Sequence, residues 1–442
     1  MTAELAIIGG GVSGAFVVIH CLRQATTPLR ILWFDRDDLF CKGLAYSTTE
    51  DVHLLNVRAS NMSVFADEPT HFTDWLKAGN YPYSGNDFVP RKIYGLYVSD
   101  TVQTLKEHHP LVDIVQLAQE VISVTRQGTT FSVTAAENHE ASRVVLALGN
   151  FLPGHPRSEN NGFTASPYYF QNAFADNVLH KKVLEKNHIT VIGAGLTMID
   201  LVLALTVRNY CGRLSILSPH GYLPQAHVRQ GSATASYINA ERDYDLLQVF
   251  ALVKQELKKA KEEGRDPYGV IDALRPHVQR LWLRFSTDDQ RRFLRHLRHK
   301  WGVARHRVPS QSLEVIKQAI ASGHLEVLKG RIYRIDTTET ESFRLFFKND
   351  KGQESQLETD VIINCTGPEP DVNKSSSSLV KQLIESGLIQ GHALSYGLKA
   401  PENGELSEGF FTLGPPLKGV LWESTAVPEI RLQAAVLAGK LI

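Results

Sequence analysis

Length, composition and charge exclude several classes of protein before any motif is considered. The 442 residues are 43% hydrophobic and 21% charged, as in a globular protein of about two or three domains rather than a disordered or fibrous chain. Lys+Arg and Asp+Glu both total 47, so no net charge attracts nucleic acid or a membrane surface. We expect neither as a partner.

Cysteine spacing and hydropathy argue against further classes of site and protein. The four cysteines form no C-x-x-C pair, so we expect no metal site and no redox-active dithiol. The apolar run that starts at Leu5 has no basic segment before it, unlike a signal peptide. No apolar stretch approaches the roughly 20 residues that cross a bilayer. We expect a cytoplasmic protein, and the sequence leaves its oligomeric state open.

The first elements in the chain predict a dinucleotide-binding turn. LAIIG at 5–9 is typical of a short buried strand, and the apolar run after the glycines predicts a helix. Gly9 permits a tight turn, Gly11 lets the backbone approach a pyrophosphate, and Gly14 lets helix and strand pack closely. The next apolar run ends in Asp35, where a carboxylate can accept hydrogen bonds from ribose hydroxyls.

A second turn of the same kind follows in ITVIGAGLTMID at 189–200. Gly193 and Gly195 repeat the first two glycines, while Met198 stands in the place of the third. This substitution predicts a looser fit of helix on strand but leaves the phosphate approach intact. The chain is therefore predicted to bind two dinucleotides.

The strand after the second turn bears on the choice of coenzyme. It ends in Ser218, Pro219 and His220 and carries no carboxylate there. An acidic side chain would hydrogen-bond a 2′-hydroxyl and repel a 2′-phosphate, so its absence favours NADPH over NADH. Ser218, His220 and Arg229 are the candidates to lie near that phosphate. The alternative is that Ser-Pro-His is only a turn, in which case NADH is possible.

Two later segments predict returns of the chain to the first nucleotide site. RVVLALGN at 143–150 and DVIINCTGPEPD at 360–371 are buried-strand patterns that end at Gly149 and Gly367.

Taken together, these segments resemble the two-dinucleotide-binding flavoproteins. Within them the chain is similar to FAD/NAD(P)-binding proteins distantly related to the lysine and ornithine N-hydroxylases and other NADPH-dependent flavin monooxygenases. The segments that carry the resemblance are GGGVSG (9–14), GLAYSTTEDVHLLNVRASNMS (43–63), VPRKIYGLY (89–97), VIGAGLTMID (191–200), HKWGVARHRVP (299–309), NCTGP (364–368) and LGPPLKGVLWESTAVPEIRLQAA (413–435).

The resemblance implies an α/β fold with two Rossmann-like domains. An FAD-binding domain at 1–175 and 355–442 would be split by an NAD(P)-binding domain at 187–354, which includes a helical insertion at about 240–320. The first turn would hold FAD, and the second would hold a nicotinamide that donates hydride to it.

The resemblance also implies where the flavin ring lies. It places 43–63 at the carboxyl ends of the first-domain strands, which makes Asn56 and Ser60 candidates to hydrogen-bond the ring or the nicotinamide. Turn capping is the alternative role for both. Arg91 would precede a helix and meet a phosphate or an acidic substrate, or lie at the surface.

The C-terminal segment predicts a strand followed by a helix. GFFTLG ends in Gly414, and Ser424, Thr425 and Pro428 supply caps and a first-turn proline for the next helix. That N-terminus would stabilise negative charge on the flavin, so we expect backbone contacts from Thr425, Ala426 and Val427. Many disulfide reductases have Gly-Asp where this chain has Gly414-Pro415, which leaves the ribityl contact open.

One strong charge cluster remains, in the inserted region. Seven Arg or Lys residues and three His lie between 291 and 307. Without an aromatic stacking platform, a solvated helix face is favoured over a nucleic-acid surface. Arg305 and Arg307 are the two candidates to face a dinucleotide phosphate or an acidic substrate.

Three functions fit these predictions. By resemblance, the first is a single-component monooxygenase in which NADPH reduces FAD and a peroxyflavin hydroxylates a small polar, amino-acid-like substrate. The second is an NAD(P)H-dependent reductase or dehydrogenase without oxygen insertion. The third is a non-catalytic flavin-binding redox sensor. No catalytic side chain can be assigned, since flavin chemistry belongs to the cofactor.

Overall fold

The computed structural model describes residues 3–227, 236–239 and 241–442. Its strands are β1 (Ala3–Ile8), β2 (Leu29–Phe34), β3 (Val112–Leu117), β4 (Ser123–Gln127), β5 (Thr130–Thr134), β6 (Asn138–Leu146), β7 (Tyr169–Phe170), β8 (His188–Ile192), β9 (Arg213–Ser218), β10 (Leu325–Lys329), β11 (Arg331–Thr337), β12 (Phe343–Lys348), β13 (Glu354–Thr359), β14 (Val361–Asn364), β15 (Glu405–Ser407) and β16 (Phe410–Thr412).

The helices in the described ranges are α1 (Val12–Gln24), α2 (Gly43–Tyr46), α3 (His71–Ala78), α4 (Arg91–His108), α5 (Lys181–Leu184), α6 (Leu196–Val207), α7 (Leu246–Glu262), α8 (Pro267–Leu274), α9 (Val278–Arg284), α10 (Thr287–His296), α11 (Arg298–Arg305), α12 (Ser310–Ala321), α13 (Ser378–Glu385) and α14 (Val427–Leu441). None of them is long and apolar enough to cross a membrane.

The first sheet has the strand order β15-β16-β6-β1-β2-β3, with the β4–β5 hairpin joined to β6. Strands β16, β6, β1, β2 and β3 run parallel. In the middle of the sheet Ile7 lies between Val145 and Trp33, and all three side chains are buried. Burial on both faces explains why β1 and β6 read as continuous apolar runs.

Helices cover both faces of this sheet. On one face α1, α4 and α14 share a core that includes Phe16, Tyr94 and Leu437. On the other face, α13 and the hairpin pack through residues such as Leu379 and Phe131. The first sheet and the helices on its two faces form the first unit, and the C-terminal helix α14 belongs to it and lies beside α1.

The second sheet has the order β10-β9-β8-β14-β7, and every pairing in it is parallel. Strand β14 lies next to β8, with Ile363 opposite Val191. The prediction that 360–371 returns to the first nucleotide site is therefore wrong for its strand, which completes the second sheet. The cause is that a short, wholly apolar run fits the interior of either sheet equally well.

A small antiparallel sheet and a helical region complete the fold. Strands β11, β12 and β13 form the small sheet. Helices α7–α11 lie between β9 and α12 in the chain, and Trp282 of α9 stacks on Trp422 with ring centroids 4.9 Å apart. The helical region therefore packs against the segment that precedes α14. The predicted fold class, two Rossmann-like units with a helical insertion, is confirmed.

Candidate functional site

The first glycine turn is shaped by close backbone contacts. Gly9 has φ of 117°, and a Cβ on it would lie 2.3 Å from the carbonyl oxygen of Ala147. A Cβ on Gly14 would lie 2.1 Å from the carbonyl oxygen of Gly9. Around Gly11, by contrast, a Cβ would meet only the Cα of Gly43, at 3.5 Å.

The open space beside Gly11 lies at the uncapped N-terminus of α1. Gly11 is the N-cap of α1, and no side chain accepts a hydrogen bond from the first turn. Free backbone N–H groups and the positive end of the helix dipole favour an anion there. The turn fits a dinucleotide pyrophosphate, with Gly9 and Gly14 serving the packing and Gly11 the approach.

Asp35 closes this turn from the side. Its Oδ2 accepts from the backbone N–H of Gly10 at 2.9 Å, and its Oδ1 accepts from that of Leu39 at 2.8 Å and that of Asp37 at 3.1 Å. A carboxylate has about four lone-pair sites, so one acceptor position is left for a ribose hydroxyl. Gly10 is a residue the motif reasoning missed: a Cβ on it would lie 2.5 Å from that of Asp35. The unbroken run of three glycines was the available signal.

The second glycine turn repeats the first at two positions. Gly193 has φ of 108°, and a Cβ on it would lie 2.4 Å from the carbonyl oxygen of Cys365. Gly195 is the N-cap of α6, no side chain caps that helix, and nothing lies within 4 Å of a Cβ there. Met198 is fully buried in the core beneath. The approach to the α6 N-terminus is therefore open, as a second dinucleotide requires.

The end of β9 carries positive charge. His220 stacks on Tyr222 and lies 4.7 Å from His299, measured between ring centroids. Burial lowers the pKa of His299 to about 4, and the charge of Arg298 contributes. Burial also lowers the pKa of His220, helped by Arg331, Lys329 and Arg298.

Arg298, Lys329 and Arg331 supply this positive charge, and all three lie close enough to His220 to lower its pKa. Motif reasoning missed Arg298, because it lay inside the basic cluster, and Arg331, which begins β11. Ser218 has another role in the structure: its hydroxyl accepts from the backbone N–H of Gly221 at 3.0 Å. Arg229 lies outside the described residues.

The segment predicted to meet the flavin ring lies between the two units. The carbonyl oxygen of Asn56 accepts from Nε2 of His227 at 2.9 Å. Ser60 is exposed in a short turn, and its backbone N–H donates to Gly85 at 3.0 Å. Arg91 is neither exposed nor free for a phosphate, since it forms a buried ion pair with Asp200.

The C-terminal segment reaches the first turn. Gly414 has φ of 73°, and a Cβ on it would lie 3.0 Å from the hydroxyl of Ser13. Helix α14 starts at Val427 with Ala426 as an N-cap that makes no side-chain bond, and Pro428 lies in its first turn as predicted. The predicted capping by Ser424 is wrong, because its hydroxyl donates to the carbonyl oxygen of Gly414 at 2.9 Å.

The uncapped helix start formed by Thr425, Ala426 and Val427 thus lies beside the first turn, the arrangement expected to face a flavin.

The two arginines singled out in the basic cluster are already paired. Arg305 binds Glu423 and Asp272, while Arg307 is bound to Asp272. Arg305 thus ties the helical region to the C-terminal segment through Glu423, while Arg307 binds Asp272 of α8 within the helical region, so both charges are already neutralised by carboxylates.

Gly149 and Gly367 lie where the two units join. Both have positive φ, 63° and 85°, and neither has an atom within 4 Å of a Cβ position. Gly149 follows β6 of the first sheet, and Gly367 follows β14 of the second. Gly149 lines a small cavity of about 30 Å³ together with Asn150, Phe151, Pro368, Glu369, Pro370, Gly397, Pro415 and Lys418.

The chain thus contains two parallel sheets, each with a glycine turn directly before an uncapped helix, and this is the arrangement that binds dinucleotides in Rossmann-like folds. Residues 6–151 match the model of an FAD-NAD(P)-binding family. This match confirms the predicted resemblance and cofactor class for the first unit. Uncharacterized proteins of Mycobacterium bovis and Mycobacterium tuberculosis are 20% identical over 100% of this chain and 95% of their own length.

Solved structures share the fold over its whole length. The Kutzneria ornithine N-hydroxylase, solved with reduced FAD, NADP⁺ and L-ornithine, has a TM-score of 0.67 at 12% identity and covers 100% of this chain and 99% of its own. The L-lysine 6-monooxygenase of Pseudomonas syringae reaches 0.68 at 14% identity, with 99% of both chains covered. The ornithine hydroxylase of Pseudomonas aeruginosa reaches 0.66 at 14% identity, covering 100% and 99%.

Proposed function

We propose that this protein is a single-component flavin monooxygenase that takes hydride from NADPH and hydroxylates a small polar, amino-acid-like substrate. The observation that carries the proposal is the pair of uncapped helix N-termini, at Gly11 and Gly195, on two sheets of one chain. One such end suits one dinucleotide. Two in one chain suit electron transfer from a nicotinamide to a flavin.

FAD fits the first unit. The space at Gly11 admits a pyrophosphate, and Asp35 keeps an acceptor for ribose. The start of α14 at Val427 lies beside this turn and would stabilise negative charge on the reduced ring. When bound, FAD supplies hydride acceptance and dioxygen activation, and the protein supplies position and shelter from water.

NADPH fits the second unit better than NADH. No carboxylate ends β9, so nothing there repels a 2′-phosphate. His220 lies among the charges of Arg298, Lys329 and Arg331, although Lys329 is also paired with Asp350. Because phosphate binding by arginine is charge-assisted, Arg298 and Arg331 are the side chains we assign to it.

The substrate class rests on the neighbours in fold. Three of them are named for hydroxylation of ornithine or lysine. A simple NAD(P)H-dependent reductase is the alternative, because the thioredoxin reductase of Lactococcus lactis shares the fold with a TM-score of 0.52. The four cysteines form no C-x-x-C pair, which argues against a disulfide substrate for such a reductase.

The test is the visible spectrum of the FAD-loaded protein, followed without oxygen while NADPH or NADH is added. Rapid bleaching by NADPH is expected, with slower bleaching by NADH. Oxygen is then readmitted with ornithine, lysine or no amine present, and hydroxylated product and hydrogen peroxide are measured. Product formation supports the monooxygenase, whereas bleaching followed only by peroxide favours the reductase. A flavin that NADPH cannot reduce overturns both and favours the sensor.

A further inference from the structure

One stretch of the first unit is attached to the second unit at regular intervals. This bridging segment, residues 48–56, contains Glu50, His53 and Asn56, spaced three residues apart. Each of them bonds to a residue of the second unit, which is built on the second sheet. The partner of Glu50 is Arg208, that of His53 is Asp200, and that of Asn56 is His227.

The side chain of Val52 adds an apolar contact to these polar ones. It packs against the hydrophobic core of the second sheet, which includes Met198 and Cys365. The bridging segment therefore packs on the second unit through both polar and apolar contacts. Asn56, one of the two residues predicted to hydrogen-bond the flavin ring or the nicotinamide, is the last of its attached positions.

A largely buried ion pair between Arg91 and Asp200 supports the central attachment. Nη1 of Arg91 lies 2.9 Å from Oδ2 of Asp200, and the two side chains are 15% and 7% exposed. Arg91 also donates from Nε to the carbonyl oxygen of Leu54 at 3.1 Å, and from its backbone N–H to that of His53 at 2.8 Å. Arg91 therefore binds both the bridging segment and helix α6.

His53 completes the link in a defined tautomer. Burial lowers the pKa of its ring, which is therefore neutral at neutral pH. Nε2 lies 3.0 Å from the carbonyl oxygen of Asp200 and must donate to it, so Nδ1 accepts from the hydroxyl of Thr48 at 2.7 Å. Asp200 is bound through both its carboxylate and its backbone.

Asp200 lies near the start of α6, close to the second glycine turn. Helix α6 begins at Leu196, directly after the open turn at Gly195, so Asp200 lies just over one turn from the helix start. The same helix is held at its other end by Arg208. The bridging segment thus fixes the element that would carry the nicotinamide dinucleotide relative to the element that would carry the flavin contact.

We propose that Arg91, Asp200 and His53 are positioning residues that set the distance between the nicotinamide and the flavin for hydride transfer. The inference rests on the proposed function, since it presupposes that NADPH reduces the flavin. Hydride transfer depends steeply on placement, and a shift of about 1 Å can cost about 100-fold in rate. These residues contact the two protein elements and need not contact either cofactor.

The test is the limiting rate of anaerobic flavin reduction at saturating NADPH in Asp200→Asn. This change keeps the shape of the side chain and the carbonyl that holds His53, but it leaves the Arg91 charge unpaired. We expect full FAD content, an NADPH dissociation constant within a few-fold of the native one and a limiting rate about 100-fold lower. A purely structural role would lower the unfolding temperature and leave that rate unchanged.

Further variants keep the test decisive if Asp200→Asn does not fold. Arg91→Lys retains the charge but loses the Nε donor to Leu54, and we expect about a tenfold lower limiting rate. His53→Ala should slow reduction, and His53→Gln, which restores an N–H donor, should recover part of it. Arg344→Gln, which breaks an exposed pair with Glu358 on the small sheet, is the control and should reduce at the native rate.

The outcomes separate this inference from the proposed function. A native protein that NADPH cannot reduce overturns both. A native protein that is reduced, with FAD-loaded Asp200→Asn and Arg91→Lys reduced equally fast, overturns the positioning role alone.

Discussion

The two glycine turns of this chain share their first glycine and differ at their third. Gly9 and Gly193 both have positive φ, and a Cβ on either would collide with a carbonyl oxygen at the end of the adjacent strand. At the third position, Gly14 lets α1 rest directly on the carbonyl of Gly9. Met198 fills the same position in α6 with a fully buried side chain.

The first turn is also more closely surrounded by other residues than the second. The first turn is enclosed by Asp35 on Gly10, by Gly43 behind Gly11 and by Gly414 beside Ser13. The second has open space at Gly195. An enclosed turn suits a nucleotide that stays bound through many turnovers, and an open turn suits a coenzyme that exchanges.

The largest effect is expected at the middle glycines. In Gly11→Val the protein should fold, since a Cβ there meets nothing closer than 3.5 Å, but it should lose FAD. Losing about two charge-assisted hydrogen bonds to the pyrophosphate weakens binding by about 100-fold or more. Gly195→Val should keep FAD and weaken NADPH. Flavin absorbance and an NADPH titration measure both. Normal flavin content in Gly11→Val would contradict the assignment of the first turn.

Alanine at either third position should destabilise the protein, but only the change at Gly14 should release FAD. Met198→Ala leaves a cavity and should lower the free energy of unfolding by about 3 kcal/mol while FAD stays bound. Gly14→Ala overpacks the turn and should lower it by about 2 kcal/mol with loss of FAD. Denaturant unfolding checks both, with Gly162→Ala, which has open space, as the control. If Gly14→Ala keeps both stability and flavin, α1 is not held as closely as the contact implies.

A smaller effect should distinguish the coenzymes. Arg331 is exposed beside His220, and Arg331→Ala should raise the NADPH dissociation constant about tenfold by removing one charge-assisted contact. Binding of NADH should hardly change. Titration with each coenzyme decides the matter, with Arg344→Ala as the control. Equal losses for both would mean that Arg331 does not read the 2′-phosphate.

The smallest expected effect is on the pH dependence of stability, through buried titratable side chains in α1 and α6. Burial lowers the pKa of His20 in α1 from 6.5 to about 4. The unfolded chain therefore takes up the proton first, so stability present above pH 6.5 is lost as pH falls towards 4, by about 1 kcal/mol at pH 5.5. In α6, burial raises the pKa of Asp200, which acts in the opposite direction.

Acid should consequently lower the stability of the first unit through His20. Denaturant unfolding followed at pH 7.5 and 5.5, with flavin fluorescence as the probe of the first unit, measures this loss. His20→Gln should flatten the pH dependence. An unchanged slope in that variant would assign the effect to other groups.

Motif spacing was sufficient to predict the turns and the order of the elements around them. Gly9, Gly11 and Gly14 impose a geometry that few other residues tolerate, so the pattern is informative wherever it follows a strand. The strand at 360–371 was misassigned because an apolar run carries no mark of the sheet that it joins. Ser424 was misassigned because a hydroxyl near a helix start has other acceptors within reach.

The sequence by itself determined the two glycine turns and the α/β class, because local backbone geometry demands particular residues at fixed spacing. Only the tertiary structure decided which charges are paired. Arg91 with Asp200 and Arg305 with Glu423 are each more than 100 residues apart in the chain. Such contacts depend on how the two sheets and the helical region pack, and burial then makes each pairing obligatory.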